Sequence, residues 1–133
     1  MLYINISLIQ NEAQYIELLK LINDFAPSWL YIQPFMLDNL VRKYKQYGST
    51  PPKSLRYIES YGEILSFDLR TRASNYFNVP ISNMYGAEEV GAIAFESKNS
   101  HMYVLGDNVY VEISKDNMIL TEGEGELLVT SLN

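Results

Sequence analysis

Three short apolar runs, WLYI at 29–32, LRYIE at 55–59 and ISNMY at 81–85, are separated by two stretches whose apolar residues recur at helical spacing. That alternation constrains the fold more than any other feature of the chain. In the first stretch Leu37, Leu40, Val41 and Tyr44 share one helical face, and Gly48 ends it. The second is capped near Ser66, turns Leu69, Ala73, Tyr76 and Phe77 inward, and is broken at Val79 and Pro80. Strand, helix, strand, helix, strand at these intervals predicts a parallel, right-handed α/β layer. WLYI reads as a buried strand, because it is a continuous apolar run. Upstream, residues 2–9 alternate well enough for a further short strand. Asn11 sits as an N-cap with Gln14 in the capping-box position, and Tyr15, Leu18, Leu19, Ile22 and Phe25 line a helix that Ala26 and Pro27 stop.

After Gly86 the pattern changes. Short strands are predicted at 92–96, 101–105, 108–113, 118–121 and 126–131, separated by turns at 98–100, 106–107, 115–117 and 123–125. No helix is required after Phe77. The fold class expected is therefore α/β: a parallel strand–helix–strand layer over about 29–85, then an antiparallel β meander over about 92–132. Residues 1–133 read as one compact piece, with an α/β portion at 1–87 and a β portion at 88–133. The last strand runs out at Asn133 without a closing turn, which suggests a segment of something longer.

A composition of 47% hydrophobic residues in 133 suits one domain with a real core. No apolar run is long enough to span a bilayer, and no basic residue precedes Lys20, unlike a signal peptide. The absence of Cys excludes disulfides, thiolate metal sites and cysteine nucleophiles, and fits a cytoplasmic protein. The net charge of −6 argues against nucleic acid or an anionic membrane as the main partner. It is also lopsided: residues 1–87 sum to +1 and residues 88–133 to −7. Such a run reads either as a cation-binding face or as a solvated acidic β region.

In a parallel α/β sheet ligands sit beyond the carboxyl ends of the strands. Two loops leave such ends here, one with Tyr61, Gly62 and Glu63, the other reading NMYGAEEVG from Asn83 to Gly91 with Tyr85, Gly86, Glu88 and Glu89. Each offers an aromatic face, a glycine that lets backbone approach a ligand, and a carboxylate. The set suits a planar base together with a hard cation such as Mg²⁺. The competing structural reading is two ordinary glycine turns with solvent-facing glutamates. Other chemistries fit less well. Glu88 and Glu89 are adjacent, so in an extended segment they point to opposite faces and do not flank one glycosidic bond. His101 is the only histidine and no nucleophile elbow accompanies it, which leaves neither a serine hydrolase nor a histidine zinc site. No phosphate loop of the Gly-Lys-Ser/Thr type and no dinucleotide fingerprint occurs. Asp107 and Glu112 read as a turn residue and an outward strand position.

NMYGAEEVG resembles the Tyr-Gly-x-Thr/Ser-Glu motif of adenylate-forming enzymes, most closely the branch of phenylacetate–CoA ligase and related capsular polysaccharide biosynthesis proteins. ESYGEILS is similar to that family's adenine loop, HMYVLGDNVYVEI to its paired strands carrying His, Asp and Glu, and EGEGELLVTSL to its Gly-Glu-x-Gly-Glu-Leu segment. The four occur in the family's order between Glu59 and Leu132. The resemblance implies activation of a carboxylic acid by ATP and Mg²⁺ as an acyl-adenylate, then transfer to a thiol, commonly coenzyme A. It implies that Tyr85 packs on adenine with Gly86 beside it, that Glu89 holds Mg²⁺, and that Tyr61, Gly62 and Glu63 line the adenine pocket. Glu88 stands at the nucleotide where the family usually has Thr or Ser, whose hydroxyl contacts the α-phosphate. Family members are several times longer, with a Ser/Thr/Gly-rich phosphate loop upstream and, downstream, a ribose-gripping Arg-Tyr…Gly-Asp segment and a lid lysine. None of these is in the chain, so the implied entity is an enzyme fragment, inactive alone, that carries part of a nucleotide site. The alternative is a free-standing, non-catalytic module binding a nucleotide or a protein, with a homodimer through exposed strand edges as one form.

Overall fold

A computed structural model describes Ile9 and residues 11–132, so the strand expected at 2–9 lies outside the described residues. The elements run α1 (Glu12–Phe25), β1 (Trp29–Ile32), α2 (Pro34–Gln46), β2 (Tyr57–Tyr61), α3 (Phe67–Phe77), β3 (Ile81–Ala87), β4 (Gly91–Glu96), β5 (Met102–Val104), β6 (Val109–Lys115), β7 (Met118–Leu120) and β8 (Glu126–Ser131). The chain forms two units, Met1–Ile81 and Ser82–Asn133.

In the first unit the helix ends follow from local chemistry. The Asn11 side chain accepts from the Gln14 N–H at 3.1 Å, and the Ser66 hydroxyl accepts from the Leu69 N–H at 3.2 Å. Each thereby satisfies a donor that the first turn of a helix leaves free. Ala26 (φ 51°) and Asn78 (φ 54°) end α1 and α3 in the left-handed region, each just ahead of a proline-containing break. Pro34 occupies the first turn of α2, where its missing N–H costs nothing.

β1 and β2 pair in parallel, with Leu30 opposite Ile58 and Ile32 opposite Ser60. The Ile58 N–H donates to the Pro80 carbonyl at 3.1 Å, next to the start of β3. Ile32 and Ile58 join Leu18, Leu19 and Ile22 of α1, Leu37, Leu40, Val41 and Tyr44 of α2, and Leu69, Ala73 and Phe77 of α3 in one core. At about 1.5–3 kcal/mol per fully buried large side chain, this cluster is the main source of the unit's stability. The loop between α2 and β2 contains two prolines that lack N–H donors, and it is pinned through its carbonyls. Asn23 donates to Thr50, Tyr76 to Ser49, and the Leu55 N–H to Pro52. Arg72 of α3 pairs with Asp68 on its own helix and with Asp38 on α2.

One expectation needs correction here. WLYI is not buried on both sides: Trp29 and Tyr31 are 43% and 45% exposed, because the helices cover only the Leu30 and Ile32 side. Phe25 ends α1 at the expected helical spacing and is half exposed, in the last turn past Leu18, Leu19 and Ile22.

In the second unit β3, β4 and β5 pair antiparallel in sequence order, and a separate three-stranded sheet has the order β7-β6-β8. β8 thus returns to the free side of β6 instead of following β7. The β6–β7 hairpin turns on Asp116 (φ 52°) and Asn117 (φ 62°), the two residue types that best tolerate a turn with both central φ positive. The buried centre is small, with Ile93, Ala94 and Val109 flanked by Val90, Val111 and Val129.

Tyr44 carries a polar tip into the core. Its ring is fully buried, its hydroxyl donates to Asn23 at 3.0 Å, and burial followed by the neighbouring Tyr76 pushes its pKa up to about 12. Because the folded state favours the neutral phenol, this stabilisation is intact below pH 10. It is lost as the pH rises towards 12, where the unfolded chain ionises first, and it amounts to about 2–3 kcal/mol. Tyr44→Phe should cost about 1 kcal/mol at neutral pH through the lost hydrogen bond. In urea unfolding the wild-type advantage should then vanish between pH 10 and 12, and a difference independent of pH would refute the assignment.

Candidate functional site

Tyr61, Gly62 and Glu63 belong to the first unit, and Tyr85, Gly86, Glu88 and Glu89 to the second. In the first unit, Tyr61 is the last residue of β2 and its ring stacks on Tyr31, centroids 3.9 Å apart and planes within 4°. Gly62 follows at φ +78°. A Cβ there would meet only the end of the Gln33 side chain, at 3.3 Å, so backbone conformation and not lack of space calls for glycine. Glu63 already has a partner: its carboxylate accepts the Phe35 N–H of α2 at 3.2 Å. Gln33, at the N-cap of α2, makes no side-chain cap bond, and Glu63 supplies that acceptor from a different loop. A carboxylate placed there also meets the positive end of the helix dipole.

In the second unit, Tyr85 and Gly86 lie in β3, and Glu88 and Glu89 lie in the turn that joins it to β4. Ala87 pairs with Gly91, leaving a connection of three residues, Glu88, Glu89 and Val90, closed by the Val90 N–H to the Ala87 carbonyl at 3.3 Å. Gly91 takes φ +73°, the left-handed residue that three-residue hairpins require. The register slips between Tyr85 and Gly86: Tyr85 faces Ala94 while Gly86 faces Ala92, so Ile93 is an extra residue on β4. The slip brings backbone so close that a Cβ on Gly86 would lie 2.6 Å from the Gly91 carbonyl oxygen. The tight hairpin therefore requires Gly86 whatever it binds. Tyr85 is half exposed, with its ring free to take a stacking partner, and both glutamates project into solvent from the hairpin tip.

Among the described residues, no three His, Cys, Asp or Glu side chains gather to hold a metal ion. Glu88 and Glu89 offer one or two exposed carboxylates, a donor set that fits a Mg²⁺ whose other ligands are phosphate oxygens and water. His101 stands in the β4–β5 loop with its Nδ1 3.2 Å from the Asn99 side-chain nitrogen. Besides the Tyr47 hydroxyl, two small polar groups are buried without a partner among the described residues, the Ser60 hydroxyl and the Asn83 side-chain oxygen. Asn83 lies two residues before Tyr85 on the same face of β3, and its own N–H donates to Glu96 at 2.8 Å. Their signal in the sequence was a small polar residue inside an apolar strand.

No family model matches the sequence, and no match was found among the curated proteins. The structure does have relatives. It superposes on 2-hydroxyisobutyryl-CoA ligase, solved in an open conformation with 2-HIB-AMP and CoA, at a TM-score of 0.80 and 15% identity over 93% of this chain. The fold is that of part of an adenylate-forming ligase. An anthranilate CoA ligase in complex with anthranoyl-AMP matches at a TM-score of 0.70 and 19% identity over 89% of this chain. A long-chain-fatty-acid-CoA ligase from Archaeoglobus fulgidus matches at 0.69 and 14% over 88%. The chain spans 31%, 24% and 27% of these three proteins, less than a third of each.

The glycines give a direct test of the hairpin. Gly86→Ala should destabilise the protein by about 1–3 kcal/mol, because backbone must shift to admit the methyl group. Gly106→Ala, where nothing lies within 4 Å of the added carbon, should change stability by less than about 0.5 kcal/mol. Equal effects in thermal unfolding would show that the close approach at Gly86 does not occur.

Proposed function

We propose that this chain is part of an AMP-forming acyl ligase, contributing the adenine-stacking strand and the acidic turn that faces the nucleotide's metal. The observation that carries the reading is the Tyr85–Gly86 hairpin, a half-exposed aromatic held rigid by a register slip and followed within four residues by Glu89. It occurs in a chain whose fold matches ligases solved with acyl-AMP bound. In this reading the Tyr85 ring would pack on adenine, and a Mg²⁺ held at the acidic turn would supply positive charge beside the phosphates. Glu89 supplies one oxygen to that metal. Glu88, its neighbour on the tip, turns to solvent, because a second carboxylate against a phosphate is unfavourable unless metal-bound.

In the first unit the Glu63 carboxylate is engaged at the N-terminus of α2, which leaves the Tyr61–Glu63 loop its backbone to offer a ligand. The substrate is a carboxylic acid and the acceptor a thiol, coenzyme A. Phenylacetate-type or polysaccharide-linked chemistry is the branch suggested by the motifs at 59–66 and 122–132. The chain alone performs no adenylation, since the lid lysine and phosphate loop of such enzymes are not among its residues.

The decisive assay is acid-dependent exchange of pyrophosphate into ATP, run on the native protein that carries this sequence, with a panel of carboxylic acids. Glu89→Gln should lower exchange at least about 100-fold with an unchanged melting temperature. Exchange at the wild-type rate would remove Glu89 from the metal site. An absence of exchange with every acid, together with AMP binding that shifts the Tyr85 and Gly86 resonances, would point instead to a non-catalytic nucleotide-binding module.

A further inference from the structure

The face of the β1–β2 pair that the helices do not cover has an unusual composition. Trp29 stands opposite Tyr57, and Tyr31 opposite Glu59, with Tyr61 next along β2. Residues two apart on a strand share a face, so all five side chains rise from the same side. Trp29 and Tyr31 are 43% and 45% exposed, and Tyr57, Glu59 and Tyr61 are half-buried. The rings are ordered against one another: Tyr31 stacks on Tyr61, and Trp29 leans on Tyr31 with centroids 5.7 Å apart. Glu59 lies among them, with Tyr57 and Tyr61 on either side along its own strand and Tyr31 across from it. No hydrogen bond or ion pair engages its carboxylate among the described residues. Tyr31 registers that arrangement, its phenol pKa pushed up by burial, then by Tyr61 and by Glu59.

A half-buried carboxylate flanked by aromatic rings has no counter-ion among the described residues, and aromatic faces are themselves electron-rich. Anions and nucleic acid are therefore poor occupants despite the stacking rings. The complementary group is cationic, and on a flat platform it is planar. A guanidinium can stack on a ring while donating two hydrogen bonds to a carboxylate, which a spherical ammonium cannot do.

We infer that the Trp29, Tyr31, Tyr57, Glu59 and Tyr61 face is a docking surface for an arginine side chain presented by a covering polypeptide, with the guanidinium stacked on the rings and paired to Glu59. Charge complementarity selects that occupant, and the exposed rings of Trp29 and Tyr31, beside the half-buried Tyr57 and Tyr61, provide the area for the backbone that carries it. The inference stands independently of the nucleotide reading.

Trp29 is the only tryptophan in the chain, so its fluorescence reports this face alone. Titration of the protein with N-acetyl-arginine amide should produce a saturable change in Trp29 emission. The uncharged isostere N-acetyl-citrulline amide should give none, and agmatine, a guanidinium without a peptide group, should bind no more tightly than the arginine derivative. Glu59→Gln should weaken the response at least about fivefold, while Tyr31→Leu should abolish it with unfolding midpoints checked in parallel. An equal response to the citrulline compound, an unaffected Glu59→Gln, or no saturable change would overturn the proposal. Binding of agmatine in strong preference to N-acetyl-arginine amide would also overturn it, in favour of a free-amine site.

Discussion

Everything in the first unit depends on the parallel pairing of β1 with β2, because that ladder places Leu30, Ile32 and Ile58 on one side as a single apolar surface. Parallel strands cannot be joined by a tight turn, so α2 must cross between them, and its length is set by the distance it has to return. Once crossed, α2 lays Leu37, Leu40, Val41 and Tyr44 over the strands, and α1 and α3 close over it with Leu19, Ile22, Ala73 and Phe77. The same pairing forces Trp29, Tyr31, Tyr57, Glu59 and Tyr61 to the opposite side, since a strand's side chains alternate. The aromatic face is thus a direct consequence of the ladder that builds the core.

The second unit obeys a different constraint. Its buried centre is only Ile93, Ala94 and Val109 with a few valines around them, so chain geometry rather than core volume specifies its hairpins. Positive φ values fall where turn chemistry allows them, at Asp116, Asn117 and Gly91, and the register slip at Gly86 occurs where a side chain would strike the Gly91 carbonyl. Folding alone demands glycine at position 86, which is why a motif glycine there cannot by itself be credited to a ligand. Tyr85 is a better marker. Its ring is half exposed in a strand of this small unit and has a face to offer.

Local periodicity made most elements readable. The caps at Asn11 and Ser66, the stops at Ala26 and Asn78, and nearly every strand of the second unit are encoded within a few residues of where they act. The candidate site was readable as a list of residues, and less so as chemistry. Glu63 looked like a pocket carboxylate, yet its acceptor oxygen goes to the Phe35 N–H, 28 residues away in sequence. The return of β8 to β6 rather than β7 was equally invisible, because strand order depends on which free edge is nearer in space and not on any local pattern.

The sequence by itself determined which segments are helical or extended, where each begins and ends, and that two glycine-bearing loops carry aromatic and acidic side chains. Those properties arise from interactions between residues no more than about four apart, so they are written locally. Only the tertiary structure decided that the helices cover one side of β1 and β2 and leave the other aromatic and acidic. It alone decided that Glu63 serves a helix end, and that Asn83 and Ser60 are buried without partners among the described residues. Each of these turns on which distant group occupies a neighbouring position. That is a question of packing in three dimensions, which no window along the chain contains.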